Sequence, residues 1–230
     1  MASDDEQPFS DLEATLKKAA AALREAQIPF LLGGSLASWA RGGPETRHDL
    51  DLMIKESDVE RALEALVQAG MRPERPPESW LVKAWDGDVL VDLIYWPKGM
   101  PVDDEVIERG EDLSVLGMEM RVMALEDVLV TKLNALTEHH LRYETPIAIA
   151  RALRERIDWD QVRRRTEESP FARAFFVMLE GLEIIEPPAE APETVEPGRP
   201  VGVRVLTPHD AGSERFDGAS EGGSAAAEAG

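Results

Sequence analysis

Asp49 and Asp51 stand two residues apart in the run Asp49-Leu50-Asp51-Leu52-Met53-Ile54. A strand over these residues turns both carboxylates to one face and Leu50, Leu52 and Ile54 to the other. Carboxylates held side by side repel each other, and a cation or a proton relieves them. A third acid, Asp92, interrupts the otherwise apolar run VLVDLIYW at residues 89–96, a strand that can lie beside the first. Three carboxylates on one sheet edge make the hard oxygen surroundings that Mg²⁺ prefers, and Mn²⁺ suits them too.

Upstream, the apolar piece Ile28–Leu32 runs into Gly33-Gly34-Ser35. Two glycines let a backbone approach closely, and amides at a strand-to-helix turn offer an anion-binding nest. A nest for phosphates opposite acids for metals reads as a nucleoside triphosphate (NTP) site. Arg47 and His48, just before the acids, are placed to touch phosphate or base, and Arg47 is the stronger candidate. Each group has a plainer reading. The acids can be solvated strand-end charges, Gly33 and Gly34 a simple turn, and Arg47 a loop flank.

The elements that must position these groups follow from periodicity. Residues 10–27 form an amphipathic helix, with Ser10 and Glu13 as a capping box and Leu12, Leu16, Ala19, Ala20 and Leu23 on one side. Leu36–Arg41 makes a short helix, and Ser57 caps another that ends before Gly70. The proline-rich run Met71–Ser79 reads as a loop. Trp80–Trp85 and Val89–Trp96 pair as a hairpin, and Leu113–Leu116 with Glu119–Met123 as a second. Asp104–Arg109 is a short helix. From Leu125 the signal is helical, over 125–137, 146–156, 159–168 and 170–182. The fold class is α+β: a small mixed or antiparallel sheet palm flanked by helices, then a helical region. The expected division is a palm with its N-terminal helix over 1–124, a helical domain over 125–184 and an acidic, low-complexity, disordered tail over 185–230.

Composition narrows the classes. There is no cysteine, so disulfides and thiolate metal sites are excluded. No apolar run approaches the roughly 20 residues of a membrane span, and the acidic N-terminus is no secretory signal, so a soluble, cytoplasmic protein without a membrane partner is expected. The net charge of −20 argues against broad nucleic-acid binding. Yet residues 180–230 alone hold 11 acids against 3 bases, while 151–173 holds seven arginines against five acids. Arg163, Arg164 and Arg165 are therefore either a solvated helix face or a grip on an RNA backbone.

Gly33-Gly34-Ser35, a gap of thirteen residues, Asp49-Leu50-Asp51 and the later Asp92 together resemble the nucleotidyltransferase superfamily related to DNA polymerase beta. The resemblance covers roughly 28–96. It implies a minimal palm that moves a nucleoside monophosphate from an NTP to an acceptor hydroxyl, with Asp49, Asp51 and Asp92 as catalytic metal ligands for Mg²⁺. The run LEDVLVTKLNAL is similar to the helix after the palm in the abortive-infection and toxin branch, where a lysine contacts the triphosphate. Lys132 lies about 60° from the centre of that helix's buried stripe, within reach of a cleft. Gly33, Gly34, Ser35, Arg47 and Lys132 are thus the expected nucleotide-binding residues, with Asn134 or Glu138 as possible further polar groups. The expected acceptor is a tRNA, a protein or a small hydroxyl compound of the kind antibiotic-modifying relatives use. The alternative is a non-catalytic, antitoxin-like module that keeps the fold.

Overall fold

Apolar residues at helical spacing bury one side of the first element and set the back layer of the sheet. The computed structural model describes residues 6–45, 49–98 and 100–187. Helix α1 spans Glu6–Glu25, with Leu16, Ala19, Ala20 and Leu23 fully buried. It starts before Ser10, so the expected capping box lies inside the helix and caps nothing. Thr15 Oγ1 and Lys18 Nζ reach Asp86 at 3.2 and 2.7 Å, pinning α1 to a hairpin end.

The strands are β1 (Phe30–Leu32), β2 (Leu50–Ile54), β3 (Arg72–Glu74), β4 (Leu81–Asp86), β5 (Val89–Ile94), β6 (Glu111–Val115) and β7 (Met118–Val122). They form one mixed sheet in the order β3-β4-β5-β2-β1-β7-β6. β2 and β5 run parallel, as do β1 and β7, and the other neighbours are antiparallel. The class is α+β, as the sequence indicated. One correction falls on Met71–Ser79, where Arg72–Glu74 pairs with β4 instead of looping free. Pro73 can sit there because an edge strand does not need every N–H in a ladder.

The remaining helices are α2 (Gly34–Trp39), α3 (Val59–Gln68), α4 (Asp104–Glu108), α5 (Leu125–Asn134), α6 (Glu144–Leu153), α7 (Trp159–Arg165) and α8 (Pro170–Gly181). α3 packs on α1 and the β3–β5 side of the sheet, while α2 packs on β2 and α5. Asp127 of α5 has no exposed surface, and its carboxylate takes Arg109 Nε at 3.2 Å and Nη2 at 3.4 Å, plus Arg165 Nη1. This pair of guanidiniums ties α5 to the end of α4 and to α7. Among the described residues, no helix is long and apolar enough to cross a membrane. The tail expected to be disordered from 185 lies, beyond residue 187, outside the described residues.

Candidate active site

The central fact is a register. In the parallel pair β2–β5, Asp51 stands opposite Asp92. Paired residues in a ladder point to the same face on strands about 4.8 Å apart. The row extends on both sides. Lys83 of β4 stands opposite Asp92, and Glu74 of β3 opposite Lys83. On the other flank, Gly33 donates its backbone N–H to the carbonyl of Asp51 at 2.8 Å. One line across the sheet therefore reads Glu74, Lys83, Asp92, Asp51, Gly33.

Gly34 closes over Asp51. Its φ is +56°, and a Cβ added there would lie 1.7 Å from Asp51 Oδ2 and 2.6 Å from its Cγ. Only glycine leaves this space to the carboxylate. Gly42 supplies a control, since its φ is +88° with nothing within 4 Å of an added Cβ. Gly34→Ala is expected to destabilise by roughly 1–3 kcal/mol through strain and collision. Gly42→Ala carries the backbone strain alone and costs less. In an Asp51→Ala background the Gly34→Ala cost falls toward the Gly42→Ala value, as read by urea midpoints of the parent, the three single variants and the double variant.

Lys132 arrives from α5. Its Nζ donates to Ser35 Oγ at 3.2 Å, and its charge acts on Asp51. Gly34, Asp51, Met53, Trp80, Ile94 and Lys132 line a cavity of about 390 Å³ between the sheet face and α5. The rest of its wall is mostly apolar, Thr131 and Lys98 excepted. Larger hollows elsewhere, such as one of about 710 Å³ beside Trp159 and Glu180, contain none of the groups in the row.

Burial pushes the Asp51 carboxyl up to about 6, against the pull of Lys132 and with the push of Asp92 and Asp49. Asp92 is also raised, first by burial, with Lys83 opposing and Asp49 and Glu74 reinforcing. Burial lowers Lys132, partly offset by Asp51. Removing these groups from water disfavours each charged form. The site is thus short of cations for the anions it holds.

Lys83 lies in the same row, and sequence reading did not single it out. Its Nζ lies 3.2 Å from Asp92 Oδ1. That oxygen is buried, yet it accepts no hydrogen bond of good geometry. Two hard carboxylates in register, one with an unsatisfied buried oxygen, fit the one or two protein ligands with which Mg²⁺ is commonly held beside phosphates and water. Among the described residues, no three His, Cys, Asp or Glu side chains converge as a ready-made metal cluster. Asp49 is exposed, one residue before β2, and reaches Asp51 and Asp92 through its charge. Arg47 and His48 lie outside the described residues. Asn134 ends α5 beside Lys98 and Arg164, away from the row, and Glu138 is exposed next to His139.

The arginines of α7 are largely spent inside the protein. Arg163 stacks over Phe176 at 4.1 Å and donates to Glu180 at 2.9 Å. Arg165 is bound to Asp127, and Arg164 alone of the three is exposed.

The profile of a family described as uncharacterised nucleotidyltransferase matches residues 10–183. The chain is similar to the solution structure of the antibiotic-resistance factor ANT(2'')-Ia, at 18% identity and a TM-score of 0.53, covering 76% of this chain and 97% of that one. It is also similar to the lincomycin-bound lincosamide antibiotic adenylyltransferase LnuA, at 11% identity and a TM-score of 0.43, covering 61% and 92%. No curated protein matches the chain.

Proposed function

The chain belongs to the uncharacterised nucleotidyltransferase family, and on that premise we propose that it transfers a nucleoside monophosphate from an NTP to a hydroxyl of a small, cationic acceptor, in the cytoplasm and with Mg²⁺. The observation that carries this reading is the register of Asp51 with Asp92 under Gly34 and beside Lys132. Asp51 and Asp92, with Asp49 at the lip, would hold the metal. When bound, the metal neutralises phosphate charge and lowers the barrier to in-line displacement.

The chain's own groups do the rest. The amides of the Gly33–Ser35 turn and the Lys132 ammonium bind the triphosphate, and Ser35 holds Lys132 toward it. The apolar cavity wall excludes water that would compete with the acceptor. Asp92 takes the acceptor's hydroxyl proton on the carboxylate oxygen that does not hold the metal, a role suited to a carboxyl whose burial raises its proton affinity. The acceptor oxygen then bonds to the α-phosphorus as the bond to the bridging oxygen breaks, and pyrophosphate leaves.

The small cationic acceptor is favoured over RNA by charge. The chain carries −20, and Arg163 and Arg165 are committed to internal partners. The fold neighbour ANT(2'')-Ia is named as an antibiotic-resistance factor, which supports testing antibiotics first, and the charge argument selects those that carry amines and hydroxyls. The test is pyrophosphate release from each NTP with Mg²⁺, against a panel of aminated polyols and total tRNA. No Mg²⁺-dependent NTP binding by calorimetry sinks the reading, and labelling of tRNA alone overturns the acceptor class. Lys132→Met is expected to weaken NTP binding roughly 10- to 100-fold, the worth of a charge-assisted hydrogen bond to phosphate. Calorimetric titration with a non-hydrolysable NTP reads it.

A further inference from the structure

Lys83 occupies an unusual place in the row, and nothing in the transfer chemistry above requires it. Its side chain is 21% exposed, and its ammonium sits 3.2 Å from Asp92 Oδ1, an ion pair that is not drawn up into a hydrogen bond of good geometry. On its far side, Glu74 is its register partner on β3. Trp85 Nε1 donates to Glu74 Oε2 at 2.7 Å, which fixes that carboxylate and leaves Oε1 free of this bond. A lysine ammonium is a point charge on a flexible four-carbon stem, able to serve either of two carboxylates.

We propose that Lys83 is a resident counter-ion for Asp92, one that a divalent cation must displace and that then withdraws toward Glu74. This inference rests on the metal-binding role proposed for Asp51 and Asp92. Without metal, the buried Asp92 carries the repulsion of Asp51 beside it and of Asp49 at the lip, and Lys83 offsets it. A divalent ion and an ammonium cannot both sit at Oδ1, because like charges at contact repel strongly in low dielectric. Entry of the metal therefore costs the Lys83–Asp92 pair. Glu74 lowers that cost by receiving the ammonium one strand further out. The row, three acids and one base, reaches charge balance only when a divalent ion enters, and the affinity for metal is set below what the acids alone would give.

The experiment measures Mn²⁺ binding to the full chain without nucleotide, by electron paramagnetic resonance of free Mn²⁺. Lys83→Met is expected to bind Mn²⁺ about five- to twentyfold more tightly than the parent, while its metal-free melting temperature falls. Equal or weaker binding overturns the proposal. Glu74→Gln tests the retreat, and as an edge-strand change it keeps the question open to test if Lys83→Met fails to fold. It should weaken Mn²⁺ binding a few-fold when Lys83 is present, and by less than half that factor on a logarithmic scale in Lys83→Met. An undiminished effect in the double variant, or no effect in the single one, overturns it. A parent that binds Mn²⁺ and loses it in Asp51→Asn, with Lys83→Met unchanged, sinks the Lys83 role alone. A parent that binds no Mn²⁺ sinks the metal reading with it.

Discussion

Asp51→Asn is expected to lower nucleotidyl transfer by at least about a thousandfold, some 4 kcal/mol of barrier, and to make the metal-free protein more heat-stable near pH 8. The two effects have one origin. Asp51 stands between Asp92 and Gly34 with Lys132 as its nearest helper, so it is the carboxylate with the least freedom to be replaced. Its folded-state value is raised from 3.8 to about 6, mainly by burial. A raised carboxyl means that the folded state holds the proton more tightly than the unfolded chain does. No penalty exists below about pH 4; it grows as pH rises to about 6 and is complete above that. Its ceiling is about 3 kcal/mol from the size of the shift. Asparagine removes the charge and the penalty together. Melting curves in chelator should therefore converge for the two proteins at pH 4 and separate in favour of Asp51→Asn by pH 7. Mg²⁺ should then stabilise the parent and leave the variant unmoved. A variant that melts below its parent at pH 8 in chelator contradicts the account.

Asp127→Ala is expected to cost about 3 kcal/mol of folding stability, at the low end of the range for breaking a buried ion pair. The low end applies because Arg109 and Arg165 keep 35% and 27% of their side chains exposed and remain partly hydrated. For a chain of this size that corresponds to a melting temperature roughly 6–12 °C lower. The change also frees α5 from α4 and α7, and α5 carries Lys132. NTP binding should weaken even at temperatures where the variant is folded. A cycle with Arg165→Met separates the parts: the double variant should be less impaired than the two single costs added together.

How far these features can be read from sequence depends on whether the information is local. The position of Lys132 at the cavity was legible because a helix places every side chain by counting 100° per residue from the buried stripe. Asp51 and Gly34 were legible because the turn and the strand lie within two dozen residues and their residue types are costly without a function. The place of Lys83 was half legible: the expected β4–β5 hairpin already sets it opposite Asp92, but Glu74 on its far side comes from β3, a strand the sequence did not reveal. In the sequence it is one lysine in an amphipathic hairpin. β3 was invisible for another reason: Arg72-Pro73-Glu74 shows no apolar alternation, because an edge strand with both faces near solvent needs none. Arg163 to Arg165 looked alike in sequence, and only tertiary partners separate the two that are paired inward from the one that is not. Arg47 and His48 lie outside the described residues, and so does the acidic tail beyond 187.

The two parallel pairings bear on how the protein reaches its native state. Leu32 meets Val122 ninety positions along the chain, and Asp51 meets Asp92 forty-one positions along. Parallel strands cannot be joined by a tight turn, so each pairing waits on the closure of a long loop. The two antiparallel hairpins, β4–β5 and β6–β7, need no such wait and can form early. The carboxylate pair is therefore assembled by a slow, non-local event, and its mutual repulsion falls on that event rather than on the hairpins. Removing the charge at Asp51 should accelerate refolding at neutral pH and leave the hairpins' own formation untouched.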